Sequence, residues 1–313
     1  MKRILIFLNY LAVFALLLAY LAPYIDPNIF WPIALFGLGY PFLLIANLIF
    51  VLFWLIRRKK FIWISLLTII LGWNYVGRYF QFGLGGDEES TDAMPFNLVC
   101  YNVRLFDLYN WKNAENTVTR DKVYKYLSSE ASDILCLQEY YSNDDGYFST
   151  VEEVMEVHNA KHHQIEYTVS IYPSNWGIAI FSKHPIINRG RVDFKAKSNN
   201  ICVFADIVLG TDTVRVYNAH LGSIHFGYEE YDLLEKVGKS DGSRDSSGPE
   251  GTSNQIRKAE NEDVPYSEVV GAMVKLLRTA FVNRAEQARA VADHAATSPH
   301  PVIICGDIND TPV

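Results

Sequence analysis

The first eighty residues hold a single acid, Asp26, against seven Lys and Arg, and no charge falls in the middle of an apolar run. A polar solute crossing a membrane needs ionisable groups at depth, so this absence argues against a transport pathway. Beyond residue 80 the shortage is of positive charge: removing seven of 28 basic and one of 35 acidic residues leaves 21 and 34, a formal −13. That balance disfavours a protein that grips polynucleotide by neutralising many phosphates, although a local basic patch or a bound metal offsets it. The four cysteines, Cys100, Cys136, Cys202 and Cys305, include no C-x-x-C pair and all have apolar neighbours. Buried free thiols are expected rather than a disulfide framework. There is no H-E-x-x-H and no internal repeat. His158 and His162 have the i, i+4 spacing of a zinc clamp but lack a third ligand, so Val151 to His163 reads as a helix with a solvated face.

What is abundant is apolar sequence, half of all residues and ample for a core. Three runs, Ile4 to Ala22, Ile33 to Ile56 and Phe61 to about Gly77, predict three transmembrane helices. No small-x-small pair precedes Pro23 and two further runs follow, so the first run reads as retained rather than as a signal peptide. Trp63, Trp73, Tyr75 and Tyr79 suit the interfaces, and Asn9, Asn47 and Asn74 are expected to bond between helices. Lys2 and Arg3 lie on the same side of the membrane as Arg57-Arg58-Lys59-Lys60. The positive-inside bias puts that side in the cytoplasm and, with three spans, everything after Phe80 on the other. The expectation is an integral protein of the inner or plasma membrane, anchored over residues 1–80, with its remaining chain facing the periplasm or exterior.

Residues 81–95, rich in Gly and acids, read as a linker, and a second unit covers 96–313. Phe96 to Val103 reads as a strand delivering Asn102 and Arg104 near its end. Val118 to Leu127 reads as a helix and Asp133 to Leu137 as a buried strand running into Gln138-Glu139. Asn175-Trp176-Gly177 precedes a strand at Ile178 to Phe181. Ile201 to Leu209 and Val214 to Tyr217 read as a hairpin that ends in Asn218-Ala219-His220-Leu221. Asp232 to Tyr266 cannot bury a core and reads as an insertion or lid. Ser267 to Ala296 has helical periodicity, with Arg284 and Gln287 either reaching inward or facing water. The last strand, Val302 to Cys305, is followed by Gly306, which lets the chain turn and aim Asp307 and Asn309 out of its end.

Each polar strand end has an ordinary reading. G-D-x-N alone is an Asx turn closing a core strand, Glu139 a partner for Arg or Lys, and His220 a satisfied core histidine. Together they place two carboxylates, two amides and an imidazole at the ends of apolar strands, where a divalent cation, a water and a phosphoryl oxygen can be handled at once.

The set YNVR at 101–104, LQE at 137–139, GIAIFSKHPI at 177–186, NAHL at 218–221 and CGDIND at 305–310 resembles the endonuclease/exonuclease/phosphatase superfamily from about Phe96 onward. The resemblance implies an α/β (α+β) fold, a deoxyribonuclease I-like four-layer α/β/β/α sandwich. It implies a metal-dependent phosphoester hydrolase of the phosphodiesterase or phosphatase type. Glu139 and Asn102 would hold Mg²⁺ or Mn²⁺, Asp307 would orient or activate the attacking water, and Asn309 would hold that water or a phosphate oxygen. His220 would contact the scissile phosphate, and Arg104, Asn175 and Asn218 the rest of the substrate. A lipid headgroup, a nucleotide or a nucleic acid fits the implied substrate, with membrane lipid as the other partner. Family members continue past G-D-x-N to a Ser-Asp-His triplet, which this sequence lacks. The implied expectation is a fragment of a longer hydrolase, inactive or nearly so by itself. The competing expectation is a binding module that keeps the sandwich without turnover.

Overall fold

The computed structural model describes residues 2–80, 95–109, 117–195, 200–223 and 266–311. Nearly all of the expected linker and nearly all of the expected lid therefore lie outside the described residues.

The N-terminal third forms α1 (Lys2–Leu21), α2 (Pro27–Phe30), α3 (Pro32–Leu38), α4 (Tyr40–Ile56), α5 (Ile62–Leu71) and α6 (Trp73–Tyr79). The expectation of three transmembrane helices is corrected here. The stretch Lys2–Tyr24, 23 residues, is long and apolar enough to cross a membrane, whereas α3 and α4 meet at a 63° bend and α5 is a shorter apolar helix. The second run breaks at Gly39, whose N–H closes α3 on Leu35 O at 2.9 Å, and Pro41, which has no N–H to give, starts α4. The third breaks at Gly72, where an added Cβ would fall 2.0 Å from Tyr20 Cζ. The ring of Tyr20 uses the space that a side chain would need.

Polar side chains tie these helices together. Asn9 donates to Ser65 Oγ at 2.6 Å and accepts from Trp54 Nε1 at 2.7 Å, and Asn47 donates to Ala12 O at 3.0 Å. Asn74, by contrast, is exposed. Residue 54 beside residue 9 and residue 47 beside residue 12 make α4 antiparallel to α1. Lys2 and Arg3 therefore share one end of the cluster with Arg57 to Lys60. Tyr20, Tyr40, Tyr75 and Tyr79 stack at the opposite end.

The remainder builds two four-stranded sheets. The first contains β1 (Leu98–Asn102), β2 (Ile134–Asn143), β3 (His162–Ile171) and β4 (Ser174–Ser182) in the order β1-β2-β4-β3. The second contains β5 (Ile186–Val192), β6 (Ile201–Leu209), β7 (Asp212–His220) and β8 (Val302–Asp307), in sequence order. Strand alternation assigns the faces. Ile134, Cys136, Ile178 and Ile180 of the first sheet meet Val203, Ala205, Ile207 and Val216 of the second, forming the central core. Leu135, Leu137, Ala179 and Phe181 face α7 (Val118–Glu130) and α8 (Val151–His158). Cys202, Phe204, Tyr217 and Ala219 face α9 (Tyr266–Ala296), through Val291. The layers run helix, sheet, sheet, helix, as the resemblance implies.

Two local readings fail. The helix expected to reach His163 stops at His158, because Asn159 caps it in the left-handed conformation (φ 56°), and His162 and His163 then begin β3. The i, i+4 histidine pair thus never shares a helix face. His158 is buried, bonded through Nε2 to Ser132 Oγ at 3.0 Å, and burial pulls its pKa down to about 4. The expected burial of all four thiols is the other: all are free, but only Cys136 and Cys202 are buried, while Cys305 is half-buried and Cys100, on the edge strand β1, is exposed. Burial pushes the Cys202 thiol up to about 12, in keeping with a small hydrophobe. On the outer face of the second sheet, buried Arg215 pairs with Asp206 through Nε (2.6 Å) and Nη2 (2.8 Å).

Candidate metal and phosphoester site

Two parallel pairs bring the polar ends together. β1 runs parallel to β2 with Asn102 opposite Gln138, and β7 runs parallel to β8 with His220 opposite Asp307. Four carboxyl-terminal strand ends therefore open on one edge of the sandwich.

On β2 the pairing with β4 slips between Leu137 and Tyr140, and Glu139 has φ 47°. A bulge residue in the left-handed region re-aims its side chain, at a cost of about 1 kcal/mol or more for a non-glycine. The ordinary strand phase would have pointed Glu139 into the helix-side core. On β8 the turn rests on Gly306 at φ 145°, where an added Cβ would lie 1.9 Å from Ala219 O of β7. A glycine is required for the two strands to approach so closely beside Asp307.

Glu139, His220 and Asp307 each present one ligand atom within 4.8 Å of the other two, all partly exposed. Asn102 Nδ2 donates to Glu139 Oε1 and to Asp307 Oδ2, both at 2.9 Å. One neutral amide thus holds two carboxylates together, each charge-assisted bond worth roughly 1.5–3 kcal/mol against leaving the groups unpaired. His220 Nε2 stands 4.0 Å from Glu139 Oε1. Asp307 Oδ1 accepts the Asn309 N–H at 3.1 Å, the Asx turn of the ordinary reading, while its Oδ2 serves the cluster. Asn309 Nδ2 donates to Leu221 O at 2.9 Å, which fixes the amide beside Asp307.

Arg104 follows Asn102, donates its backbone N–H to Asn102 Oδ1 at 2.9 Å, and leaves its side chain exposed. It opens a left-handed turn through Asp107 that is held by the buried ring of Phe106. Asn175 is not brought into the cluster. It sits opposite Ser142, beyond the bulge on β2, and donates to Asp144 Oδ1 at 2.9 Å. Asn218, expected to touch substrate, is fully buried: its Nδ2 donates to Leu137 O (3.1 Å) and Ala179 O (2.8 Å), and its Oδ1 accepts from Gln138. It pins the two sheets together beneath the site, and that expectation is corrected.

Arg284 and Gln287 turn out to reach inward. Both are buried on α9, and Arg284 donates to Asp310 Oδ2 (3.0 Å) and Gly222 O (3.2 Å) while Gln287 Oε1 accepts from Gly222 N at 2.8 Å. They brace the loop after His220 against the turn after Asp307. Their place three residues apart on the apolar stripe was the available signal, and Asp310 carried none.

Two carboxylates with an imidazole beside them suit a hard divalent cation such as Mg²⁺ or Mn²⁺. The amide bridge from Asn102 keeps the carboxylate oxygens at one spacing without adding charge. The donor set fits the cation that the resemblance implies.

Residues 99–313 match the model of the endonuclease/exonuclease/phosphatase family, and residues 2–79 match a family described as a domain of unknown function. The chain belongs to the endonuclease/exonuclease/phosphatase family. Among solved structures it is similar to an endonuclease/exonuclease/phosphatase from Beutenbergia cavernae, at 16% identity over 69% of this chain and 49% of that one (TM-score 0.42). The human Nocturnin catalytic domain with a bound sulfate gives 15% identity over 70% and 66% (TM-score 0.42). A 2′,3′-cyclic phosphatase, ANGEL2, in complex with adenosine-2′,3′-vanadate gives 16% over 69% and 54% (TM-score 0.39). The chain thus spans about half the length of the first of these and less than two thirds of the others. No curated protein matches it.

Proposed function

We propose that the chain is a divalent-cation-dependent phosphoester hydrolase tethered to a membrane through α1. The observation that carries this is the cluster of Glu139, His220 and Asp307 at converging strand ends, organised by Asn102. Glu139 would hold the cation with Asn102 beside it. When bound, a divalent cation supplies charge stabilisation to the phosphoryl group. The rest falls to the chain itself. Asp307 takes a proton from a water as the water's oxygen bonds to phosphorus, the opposite bond to the departing oxygen breaks, and that oxygen leaves with the electron pair and takes a proton from solvent. Asn309, fixed by Leu221 O, orients that water or a phosphoryl oxygen. His220 donates to a non-bridging oxygen, and Arg104 offers a further cation at the rim.

The clustering of Lys2, Arg3 and Arg57 to Lys60 at one end of the helical unit supports a cytoplasmic placement of that end and an opposite placement of the sandwich. In an inner or plasma membrane that side is the periplasm or exterior.

Titration of the full chain with Mn²⁺ tests the reading, together with product release from a panel of phosphodiesters and phosphomonoesters in Mg²⁺, Mn²⁺ or EDTA. Glu139→Gln removes a charged ligand and is expected to weaken Mn²⁺ binding at least tenfold and to silence turnover. A folded chain that binds Mn²⁺ as tightly after Glu139→Gln does not use this cluster, and the reading is then wrong.

A further inference from the structure

The strand ends remote from Glu139 and Asp307 border a hollow of their own. His162 of β3 lies opposite Ser182 of β4, which pairs with Ile134 at the start of β2. In the second sheet Asn188 lies opposite Asp206, Asp206 opposite Arg215, and Arg215 opposite Val302 at the start of β8. Both ladders lead away from the candidate site. There, between the edge strands β3 and β5, a hollow of about 390 Å³ is lined by Lys161, His162, His163, Asn188 and Arg189.

No carboxylate lines it, in a unit whose charge is otherwise strongly negative. Among the described residues Lys161 and Arg189 have no acid partner, whereas Arg191, two positions on, is matched by Glu166 at 2.8 Å and Asp193 at 2.9 Å. Arg189 gives one N–H to His163 O at 2.7 Å, and both it and Lys161 are exposed. Asp206, which accepts from Asn188 at 3.0 Å, is already paired with Arg215. The Nδ1 atom of His163 is buried without a partner. Burial and then Arg189 push the His163 pKa down, Glu152 of α8 pulls it up, and His162 adds a smaller push down.

A metal ion is poorly served here. His162 and His163 are successive strand residues that point to opposite faces, and Lys161 and Arg189 repel a cation. A polynucleotide needs a row of cations, whereas these make one spot on an acidic unit. A compact anion with several oxygens suits the set: the arginine fork takes two of them and the lysine adds a point charge. The volume lies within the range of roughly 300–1,000 Å³ usual for small-molecule sites, so there is room for more than the anionic group alone. We infer that this hollow is a second ligand site, separate from the strand-end cluster, which binds the phosphate monoester of a small molecule through Lys161, His162 and Arg189. The site goes beyond the hydrolase reading and does not rest on it. A dianion bound there favours protonation of His163, adding to Glu152 and offsetting Arg189 and His162.

The test is calorimetric titration of the full chain in detergent with glycerol 3-phosphate, inorganic phosphate or citrate. EDTA is present throughout, so that no cation at Glu139 recruits the anion. Glycerol 3-phosphate is expected to bind with a Kd below about 1 mM at about 0.15 M salt, and inorganic phosphate several-fold more weakly. Arg189→Gln and Lys161→Met, both at exposed positions, are each expected to weaken glycerol 3-phosphate about tenfold, and Arg189→Lys to lose less than Arg189→Gln. In imidazole nitrogen NMR the same ligand should move the titration of His163 to higher pH. Unchanged affinity in both charge-removing variants overturns the inference, as does no binding at about 10 mM of either phosphate. Affinity lost in His220→Gln but kept in Arg189→Gln puts the phosphate at the strand-end cluster and overturns it too. Citrate binding more tightly than either phosphate refutes the ligand class.

Discussion

Gly306→Ala tests the site at its tightest point. The Cβ of Ala would lie 1.9 Å from Ala219 O and 2.7 Å from Ala219 C, where contact distances of roughly 3.5 Å are normal. Those atoms are backbone of the neighbouring strand and cannot rotate away, so β7 and β8 must part by more than an ångström. The conformation at φ 145° adds about 1–3 kcal/mol of strain for any side chain. With the Leu221 N–H to Asp307 O bond (2.9 Å) stretched as well, a loss of about 3–5 kcal/mol follows. For a unit of this size that lowers Tm by on the order of 10 °C. Function should suffer more. Asp307 is the next residue, and displacing a reacting group by about 1 Å can cost roughly 10²-fold in rate. Thermal unfolding of the purified chain, Mn²⁺ affinity and turnover of a soluble phosphodiester are the readouts. A variant that melts within a degree or two of the parent and binds Mn²⁺ as tightly would refute the claim that close approach of β7 and β8 positions Asp307.

Three further outcomes are expected. Asn102→Asp places a third carboxylate where the amide bridges two, at 2.9 Å from each. It should destabilise the metal-free chain by about 1–3 kcal/mol and enlarge the Tm gain on adding Mn²⁺; an unchanged metal-free Tm counts against the bridge. Burial tends to raise the Asp206 carboxyl, but the bonds from Arg215 and Asn188 outweigh it and hold its pKa below the usual value. The pair's stabilisation is thus present above about pH 4 and lost as pH falls through the folded-state pKa, and Arg215→Leu, by leaving Asp206 buried without its guanidinium partner, should cost about 3–5 kcal/mol at neutral pH in denaturant unfolding. His158, ordinarily near 6.5, is lowered by burial to about 4. The unfolded chain therefore takes up a proton first, so stability should fall by up to about 3 kcal/mol between pH 6.5 and 4, and in His158→Gln that slope should vanish.

The sequence alone determined what local chemistry controls. Apolar alternation gave β6 and β7, an unbroken apolar run gave β8, the stripe from Val270 to Val291 gave α9, and the family motifs gave the order of layers. The polar residues that close apolar strands stood out because an apolar strand has no local use for Glu139 or Asp307. Strands β3 and β5 were not legible, since His162, Gln164, Glu166, Asn188 and Arg189 interrupt their pattern and only neighbouring strands stabilise them. The helical runs were legible as apolar but not as continuous, because Gly39, Pro41 and Gly72 break them and Tyr20, 52 residues from Gly72, fills the space the last of these leaves.

Other features exist only when distant segments meet. The bulge that turns Glu139 out of the core depends on the slipped pairing with β4, and the amide of Asn102 has a role only because Asp307 arrives 205 positions later. Asn218 reads as a polar strand end in sequence, and the second sheet buries it against Leu137 and Ala179. Arg284 and Gln287 could have faced water on any isolated helix. Packing decides these positions, since a buried polar group must find its partners wherever the fold brings them.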